Sequence, residues 1–344
     1  MIDGVNKAAL CDWMTEQGLL ASGGHADLTQ LTGGTQNILV KIDTPDDSFV
    51  LRRPPLSLRK NSNETMRREA RMLSALSRTS IPHPAFRAVC EDVSVLGSAF
   101  YIMNAIDGFN PVEGLPEPHA HSREIRHEMG LSLVRGLSQM GALDPQSLGV
   151  FDLGKPDNYL ERQVSRWKAQ LSSYDDVEQW DGRSELPGID RIGKWLDEHR
   201  PAQTAPGILH GDAHLGNTLY SFDGSKLAAL IDWELTTIGD PLVDLGWLLA
   251  TWPENAEDFG TGAVGITPWD GFPSPQELVS AYGELSPRDV RAAEWYGVLG
   301  CYKLGIIQEG TYARACAGQV PRDIGENLHE RTIWLLERAL QWIS

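Results

Sequence analysis

The sequence predicts an α+β fold in which a β-rich N-terminal lobe, residues 1–106, precedes a mainly helical C-terminal lobe, residues 107–344. Two observations carry this prediction. Short apolar segments separated by turn residues dominate residues 28–103, whereas longer segments with helical periodicity follow Asp107-Gly108. The chain has 344 residues, 41% of them hydrophobic, which is enough for two lobes that each have a core.

The N-terminal lobe is predicted to be a small sheet with one helix, preceded by a short helix over residues 5–20. Between the first two strands, Asp43-Thr44-Pro45-Asp46-Asp47 is a sequence typical of a hairpin turn. A helix over 61–77 has apolar residues on one face, and Asn61 followed by Glu64 is a capping signal. The predicted strands are 38–42, 48–51, 88–91 and 99–103.

The C-terminal lobe is predicted to contain seven helices and one block of short strands. The strand block, 207–232, includes a polar loop region over 208–220 and ends at Asp232. The pattern of apolar residues predicts the helices over 125–140, 159–172, 188–199, 241–251, 274–282, 288–309 and 325–343.

The distribution of charge limits the classes of partner. The net charge is −17, and residues 1–103 sum to zero, so the whole acidic excess lies in residues 104–344. Such a surface disfavours nucleic acid and anionic membranes. It is compatible with a cationic substrate, and equally with an ordinary acidic surface. The four cysteines lack the spacing of metal ligands, and no signal peptide or membrane-spanning segment is expected, so the sequence predicts a cytoplasmic protein with reduced thiols.

Two polar loops that follow apolar strands predict the chemistry. Ile208-Leu209 leads into His210-Gly211-Asp212, with Asn217 five residues later, and Leu230-Ile231 leads into Asp232. In kinases, one Asp accepts the proton of the attacking hydroxyl, while an Asn and a second Asp hold magnesium. Singly, Asp and Asn in loops are more often turn formers. Their combination predicts phosphoryl transfer to a small molecule.

On these motifs the chain resembles the aminoglycoside phosphotransferase-like, or choline kinase-like, enzymes. It is most similar to the branch associated with acyl-CoA dehydrogenases, through 49–55 and through the run from Asp232-Trp233-Glu234-Leu235 to Gly239-Asp240-Pro241. The resemblance implies a bilobal protein-kinase-like fold, Mg²⁺, and ATP or GTP as phosphate donor. It also implies that Asp212 is the catalytic base and that Asn217 and Asp232 are the magnesium ligands.

The N-terminal lobe supplies the candidate nucleotide-binding residues. Gly33, Gly34 and Thr35 lie where the family has its phosphate-covering loop, although an ordinary hairpin turn would have the same composition. Arg52 occupies the position of the phosphate-binding lysine of kinases, and its expected partner is Glu69. Because strand alternation sends adjacent residues to opposite faces, only one of Arg52 and Arg53 is expected to act.

The segment before Asp107 is expected to be the hinge whose backbone binds the nucleotide base, through Met103, Asn104 and Ile106. A plain interdomain linker would leave the same side-chain pattern.

Four residues around the loop are expected to support it rather than to react. His210 and His214 are expected to make structural hydrogen bonds, and Asp240 is expected to cap the helix that begins at Pro241. The resemblance implies that Asp244 supports the catalytic loop from a buried helix.

The segment after the motif separates the alternative functions. A protein kinase is disfavoured, since only seven residues separate Asp232 from Asp240 and leave no room for an activation loop. A nucleotide-binding module without catalysis and an aminoglycoside-type antibiotic kinase remain open. The expected partners are a nucleotide and a small hydroxyl compound. A hydroxyacyl-CoA acceptor would need a basic patch, for which Arg123, Arg126 and Arg162 are the candidates.

Overall fold

The computed structural model describes residues 2–31, 37–177, 179–180, 182–254 and 265–344. The chain divides into two compact units. The first comprises Met1–Asp107, Gln146–Leu153 and Ala228–Thr236, and the second comprises Gly108–Pro145, Gly154–Leu227 and Thr237–Ser344. The first segment ends one residue from the predicted boundary. Two later segments, expected in the C-terminal lobe, are grouped with the first unit instead, and one of them carries Asp232.

The first unit is built on a five-stranded antiparallel sheet in the order β1-β2-β3-β5-β4. The predicted turn over 43–47 joins β2 to β3 as a hairpin, and β1 extends the sheet beyond the predicted strands. The strands are β1 (Asp27–Leu31), β2 (Ile38–Asp43), β3 (Ser48–Arg53), β4 (Phe86–Cys90) and β5 (Phe100–Asn104), and the helices are α1 (Lys7–Glu16), α2 (Ser62–Leu76) and α3 (Val93–Leu96).

Strand alternation separates an apolar face of this sheet from a polar one. Phe49, Leu51, Phe100 and Ile102 are buried in one core together with residues of α1 such as Trp13. The intervening residues of β3 and β5, Arg52 and Tyr101, pair across the strands and point to the opposite face. The sheet therefore separates a hydrophobic core from a polar site.

The capping signal predicted for α2 is wrong. Asn61 occupies the N-cap position, but its side chain makes no capping hydrogen bond, and its backbone (φ −113°, ψ 11°) is not extended as an N-cap usually is.

The second unit contains all seven predicted helices. The largest difference is that α9 begins five residues after the predicted start and continues to Cys316. They are α4 (Arg123–Gly141), α5 (Glu161–Ser172), α6 (Ile189–Glu198), α7 (Leu242–Thr251), α8 (Pro275–Leu285), α9 (Ala293–Cys316) and α10 (Arg322–Trp342). The short strands of the second unit are β6 (Gly207–Leu209), β7 (Thr218–Tyr220) and β9 (Thr237–Gly239), and β6 pairs antiparallel with β9. A further strand, β8 (Leu227–Leu230), lies almost entirely in a segment of the first unit.

Helix α7 is the centre of the second unit, since every one of its residues is buried. It packs closely on α9 because glycines lie at the crossing. A Cβ added to Gly246 would lie 2.1 Å from the carbonyl oxygen of Tyr296, and one added to Gly300 would lie 2.6 Å from that of Gly246. All four cysteines are free thiols. Among the described helices, none has the length and apolarity needed to cross a membrane.

Candidate active site

The loop after β6 is fixed to α7 by the carboxylate of Asp244. The backbone N–H groups of His210 and Gly211 donate to its two oxygens at 2.6 and 2.9 Å. Burial raises the pKa of Asp244, while the charges of His210 and Lys303 and these two hydrogen bonds oppose the increase. Gly211 has φ +87°, a conformation that favours glycine. The predicted supporting role of Asp244 is therefore present in the geometry.

Asp212 follows this anchor, and both of its carboxylate oxygens are held. Trp247 donates its indole N–H to Oδ1 at 2.9 Å, and Asn217 donates from Nδ2 to Oδ2 at 2.9 Å. Burial alone would raise the pKa of Asp212, but the hydrogen bond with His214, the charges of His214 and His210, and the Asn217 bond outweigh burial and hold it below its usual range. Asp212 is thus an ionised, oriented carboxylate at neutral pH.

The orientation of the Asn217 amide is determined by its donors. Its Nδ2 donates to both the backbone oxygen of Asp212 (3.0 Å) and the Oδ2 atom (2.9 Å). The carboxamide oxygen is therefore turned away from Asp212. An amide oxygen is a ligand that Mg²⁺ accepts, so the predicted role of Asn217 is compatible with this geometry.

His214 makes structural hydrogen bonds, as predicted for it. The N–H of Gly216 donates to its Nδ1 at 3.0 Å. Its Nε2 lies 3.4 Å from Oδ1 of Asp212.

Asp240 bonds the helix that follows it. Its Oδ1 accepts from the N–H of Leu242 at 3.1 Å, and its Oδ2 accepts from the hydroxyl of Tyr296 at 2.9 Å. The predicted contact with the start of α7 is present.

In the first unit, Arg52 is surrounded by three carboxylates. Its guanidinium lies 3.0 Å from Glu69, 2.7 Å from Asp232 and 3.3 Å from Glu234. The predicted Arg52–Glu69 pair is present, and Tyr101 donates its hydroxyl to the same Glu69 oxygen at 2.8 Å.

One guanidinium cannot balance three carboxylates, so this cluster carries surplus negative charge. Burial raises the pKa of Glu69 to about 7, against the lowering effect of Arg52 and of the Tyr101 hydrogen bond. Burial opposes the charged form of Arg52, but the charges of Glu69 and Asp232 outweigh burial and hold the pKa of Arg52 above its usual range.

Arg53 lies on the other face of β3, as strand alternation predicts. It donates to the backbone carbonyls of Pro54, Gly4 and Leu96. Arg52 is therefore the arginine beside the candidate metal ligand.

Asp232 itself has an unusual backbone, with φ +64°, and its side chain is 39% exposed. Few residues other than glycine adopt this left-handed conformation, and Asp is among those that tolerate it best.

The other predicted nucleotide-binding residues of the first unit lie only partly within the described residues. Gly33, Gly34 and Thr35 lie outside the described residues. At the hinge, the N–H of Asn104 donates to Ala85 at 2.9 Å, whereas that of Ile106 has no backbone acceptor among the residues that the structure describes. Met103 lies on the strand face of Tyr101.

The three arginines that could have formed a basic patch are engaged elsewhere. Arg123 and Arg126 both pair with Asp270, at 2.9 and 3.2 Å. Arg162 donates to the backbone carbonyls of Lys155 and Asn158.

Two candidate functional residues were not predicted from the sequence. The hydrogen bond of Trp247 to Asp212 was not predicted. Lys303 on α9 places its Nζ atom 4.3 Å from the centre of the Trp247 ring and 3.5 Å from the carbonyl oxygen of Gly211. No local motif marks it. Within the described ranges, no group of three or more His, Cys, Asp or Glu side chains is arranged to hold a metal.

Comparison with known proteins decides the family. A model of the phosphotransferase enzyme family matches residues 27–266 of this chain. The chain belongs to the phosphotransferase enzyme family. The resemblance drawn from the motifs is therefore confirmed.

A relative of this phosphotransferase is acyl-CoA dehydrogenase family member 10 of Mus musculus, which is 27% identical over 315 residues. That match covers 88% of this chain but 28% of the mouse protein, so the chain spans less than a third of that relative's length.

Two solved structures confirm the predicted kinase-like fold. A candidate aminoglycoside phosphotransferase from Ralstonia eutropha JMP134 has a TM-score of 0.81 and 27% identity, with 98% of each chain covered. Choline kinase from Cryptosporidium parvum has a TM-score of 0.64 at 13% identity, over 98% of this chain and 96% of that one, and shows the fold alone. Family and neighbours together support a small-molecule phosphotransferase in general.

Proposed function

We propose that this phosphotransferase moves the γ-phosphoryl group of ATP to a hydroxyl group of a small molecule, with Mg²⁺ as cofactor. The observation that carries the proposal is the Asp212 carboxylate, whose two oxygens are fixed by Trp247 and Asn217. Phosphoryl transfer has a loose transition state, so positioning and electrostatics supply most of the rate. A rigidly held, ionised carboxylate fits that requirement.

In this proposal Asp212 orients the acceptor hydroxyl and takes its proton as the new P–O bond forms. A low pKa makes Asp212 a weak base, which suffices when the hydroxyl becomes acidic only late in the transfer. Asp244 keeps the loop backbone in place through His210 and Gly211.

Asn217 and Asp232 are the proposed magnesium ligands. The donor set fits: Asn217 turns its amide oxygen away from Asp212, and Asp232 has a partly exposed carboxylate in a cluster with surplus negative charge. Magnesium typically takes only one or two carboxylates from the protein and the rest of its ligands from phosphates and water. When bound, the ion would neutralise phosphate charge.

Arg52, paired with Glu69, is the proposed phosphate-binding cation. Its guanidinium contacts Asp232 and Glu234. Phosphate oxygens offer the same charge and planar hydrogen bonding to arginine. Binding of nucleotide would therefore exchange carboxylate partners of Arg52 for phosphates and leave Asp232 available to magnesium.

The remaining nucleotide contacts are proposals by position. Gly33, Gly34 and Thr35 would cover the phosphates, and the hinge residues Met103, Asn104 and Ile106 would meet the base. The N–H of Ile106, which has no backbone acceptor within the described ranges, is a suitable donor. A mutant of aminoglycoside phosphotransferase APH(4)-Ia, 16% identical, was solved with AMP-PNP and hygromycin B, which favours ATP over GTP as donor.

The test is nucleotide consumption with a broad panel of small alcohols and sugars, comparing wild type with Asp212→Asn. We expect turnover to fall by roughly 10²–10⁴-fold while nucleotide binding persists. Asp223→Asn, an exposed aspartate of the same unit, is the matched control and should turn over normally. If wild type and Asp212→Asn bind nucleotide but are equally inert across the panel, the chain is a nucleotide-binding module instead.

A further inference from the structure

We propose that Lys303 and Arg166 form a subsite for an anionic group, a carboxylate or phosphate, carried by the acceptor beside the Asp212 carboxylate. This inference rests on the proposed function and names the class of its substrate. The side chain of Trp247 contacts both the Asp212 carboxylate and the Lys303 ammonium. The indole N–H binds Asp212 at 2.9 Å, and the Lys303 ammonium lies over the ring at 4.3 Å.

The Lys303 ammonium has little else to bind. Of its three N–H donors, one makes a long contact of 3.5 Å with the carbonyl oxygen of Gly211. It forms no ion pair with any carboxylate in the part of the chain that the structure describes. An ammonium with spare donors next to a catalytic carboxylate is a binding group for an oxygen ligand.

The nearby carboxylates are already committed. Both oxygens of Asp244 accept backbone N–H groups, and both oxygens of Asp212 accept side-chain N–H groups. Burial lowers the pKa of Lys303 to about 8, and the charges of Asp244 and Asp212 oppose that effect without cancelling it.

A second cation lies near Lys303. Arg166 on α5 places its guanidinium 5.2 Å from the centre of the Trp167 ring, and Lys303 lies 5.8 Å from the same ring. The charge of Arg166 also lowers the pKa of Lys303. Like Lys303, Arg166 has no carboxylate within ion-pair distance among the described residues.

The charges of Lys303 and Arg166 repel each other, and an anion that contacts both would offset the repulsion. The chain has a net charge of −17, so acidic partners are abundant elsewhere. A cationic acceptor such as an amino sugar would instead add a third positive charge. The subsite thus selects hydroxyl compounds that carry negative charge.

The first experiment compares acceptors with a shared skeleton in the nucleotide-consumption assay. The sets are glycolate, glycolamide and ethanolamine; gluconate, glucose and glucosamine; and glycerol phosphate with glycerol. We expect the anionic member to have a kcat/KM higher by roughly tenfold or more. The first two sets test carboxylate and the third tests phosphate. Equal or better use of the amines would overturn the subsite, even though it would support the phosphotransferase.

Substitutions test whether Lys303 and Arg166 cause the preference for the anionic acceptor. Lys303→Met and Arg166→Met should each raise KM for the anionic acceptor by roughly tenfold and should leave KM for its neutral partner unchanged. Lys303→Arg should keep the preference. Lys168→Met is the control, since Lys168 lies on the same helix as Arg166 but is paired with Asp197 at 3.1 Å. An unchanged preference in Lys303→Met would contradict the proposal.

A binding measurement tests the anionic subsite without requiring phosphoryl transfer. Sulfate is added at constant ionic strength while the ¹³C signal of the Lys303 ε-carbon, assigned with Lys303→Met, is titrated with pH. Bound sulfate should raise the pKa of Lys303 from about 8, and Arg166→Met should weaken that shift. If sulfate leaves the Lys303 titration unchanged, the subsite is absent, whether or not the protein consumes nucleotide.

Discussion

Replacing Trp247 with phenylalanine removes the hydrogen bond that the candidate base, Asp212, accepts from the indole N–H. The N–H of Trp247 donates to the charged Oδ1 of Asp212 at 2.9 Å. A hydrogen bond to a charged group contributes about 1.5–3 kcal/mol. The smaller ring also loses buried apolar surface, about 1 kcal/mol of stability, and keeps a weaker contact with the Lys303 ammonium.

We expect Trp247→Phe to lower the free energy of unfolding by about 2.5–4 kcal/mol. If the same bond aims the carboxylate at the acceptor hydroxyl, turnover should fall by roughly ten- to a hundredfold. Urea denaturation measures the first quantity. Nucleotide consumption, measured where both proteins are fully folded, measures the second.

Trp295→Phe is the matched control for this prediction. Trp295 is buried in the same unit, and its N–H donates to the carbonyl of Leu196 at 3.0 Å. Trp295→Phe should lose somewhat less stability, because its hydrogen bond is to a neutral carbonyl, and only Trp247→Phe should slow turnover. If both turn over at the wild-type rate, the orientation of Asp212 does not depend on Trp247 and the reasoning fails.

Three further variants probe the loop, the nucleotide cation and a pH-dependent contact. Asp244→Asn removes the negative charge and one of the two oxygens that accept the buried N–H groups of His210 and Gly211. It should lower the free energy of unfolding by about 2–5 kcal/mol; an unchanged urea midpoint would refute this. Arg52→Lys should weaken nucleotide binding, because lysine lacks the planar fork, whereas Arg53→Lys should affect only stability; equal losses of nucleotide affinity in calorimetry would argue against it. The pKa of His329 is raised by its hydrogen bond with Glu309, against burial, so its stabilisation is fully present below the unfolded pKa of about 6.5 and is lost as pH rises through the folded value. His329→Gln should therefore approach wild-type stability as pH rises, and a constant difference in urea midpoint from acid to alkaline pH would disprove the linkage.

The catalytic loop was predictable because its elements lie close together in the chain. His210 to Asn217 span one loop, and the apolar strand before it predicts a fixed start. Asp244 could be included because the family resemblance implies its role. The pairing of Arg52 with Glu69 followed from the position of each on a strand and a helix.

The features that escaped the sequence depend on contacts between distant segments. Lys303 is a single lysine in a long helix, and only the packing of α9 on α7 brings it to Trp247. The indole of Trp247 looked like a core residue, and it is 3% exposed, but burial gives no indication of where its N–H points. The failed cap at Asn61 has a local cause, since its backbone dihedral angles differ from those that the motif requires.

The left-handed backbone of Asp232 sets stability against activity at one position. With φ +64°, an aspartate there carries conformational strain of about 1–2 kcal/mol that glycine would not. Asp232→Gly would relax the chain and remove the proposed magnesium ligand in one step. A search for heat-resistant variants without an activity readout would therefore favour an inactive protein at this residue.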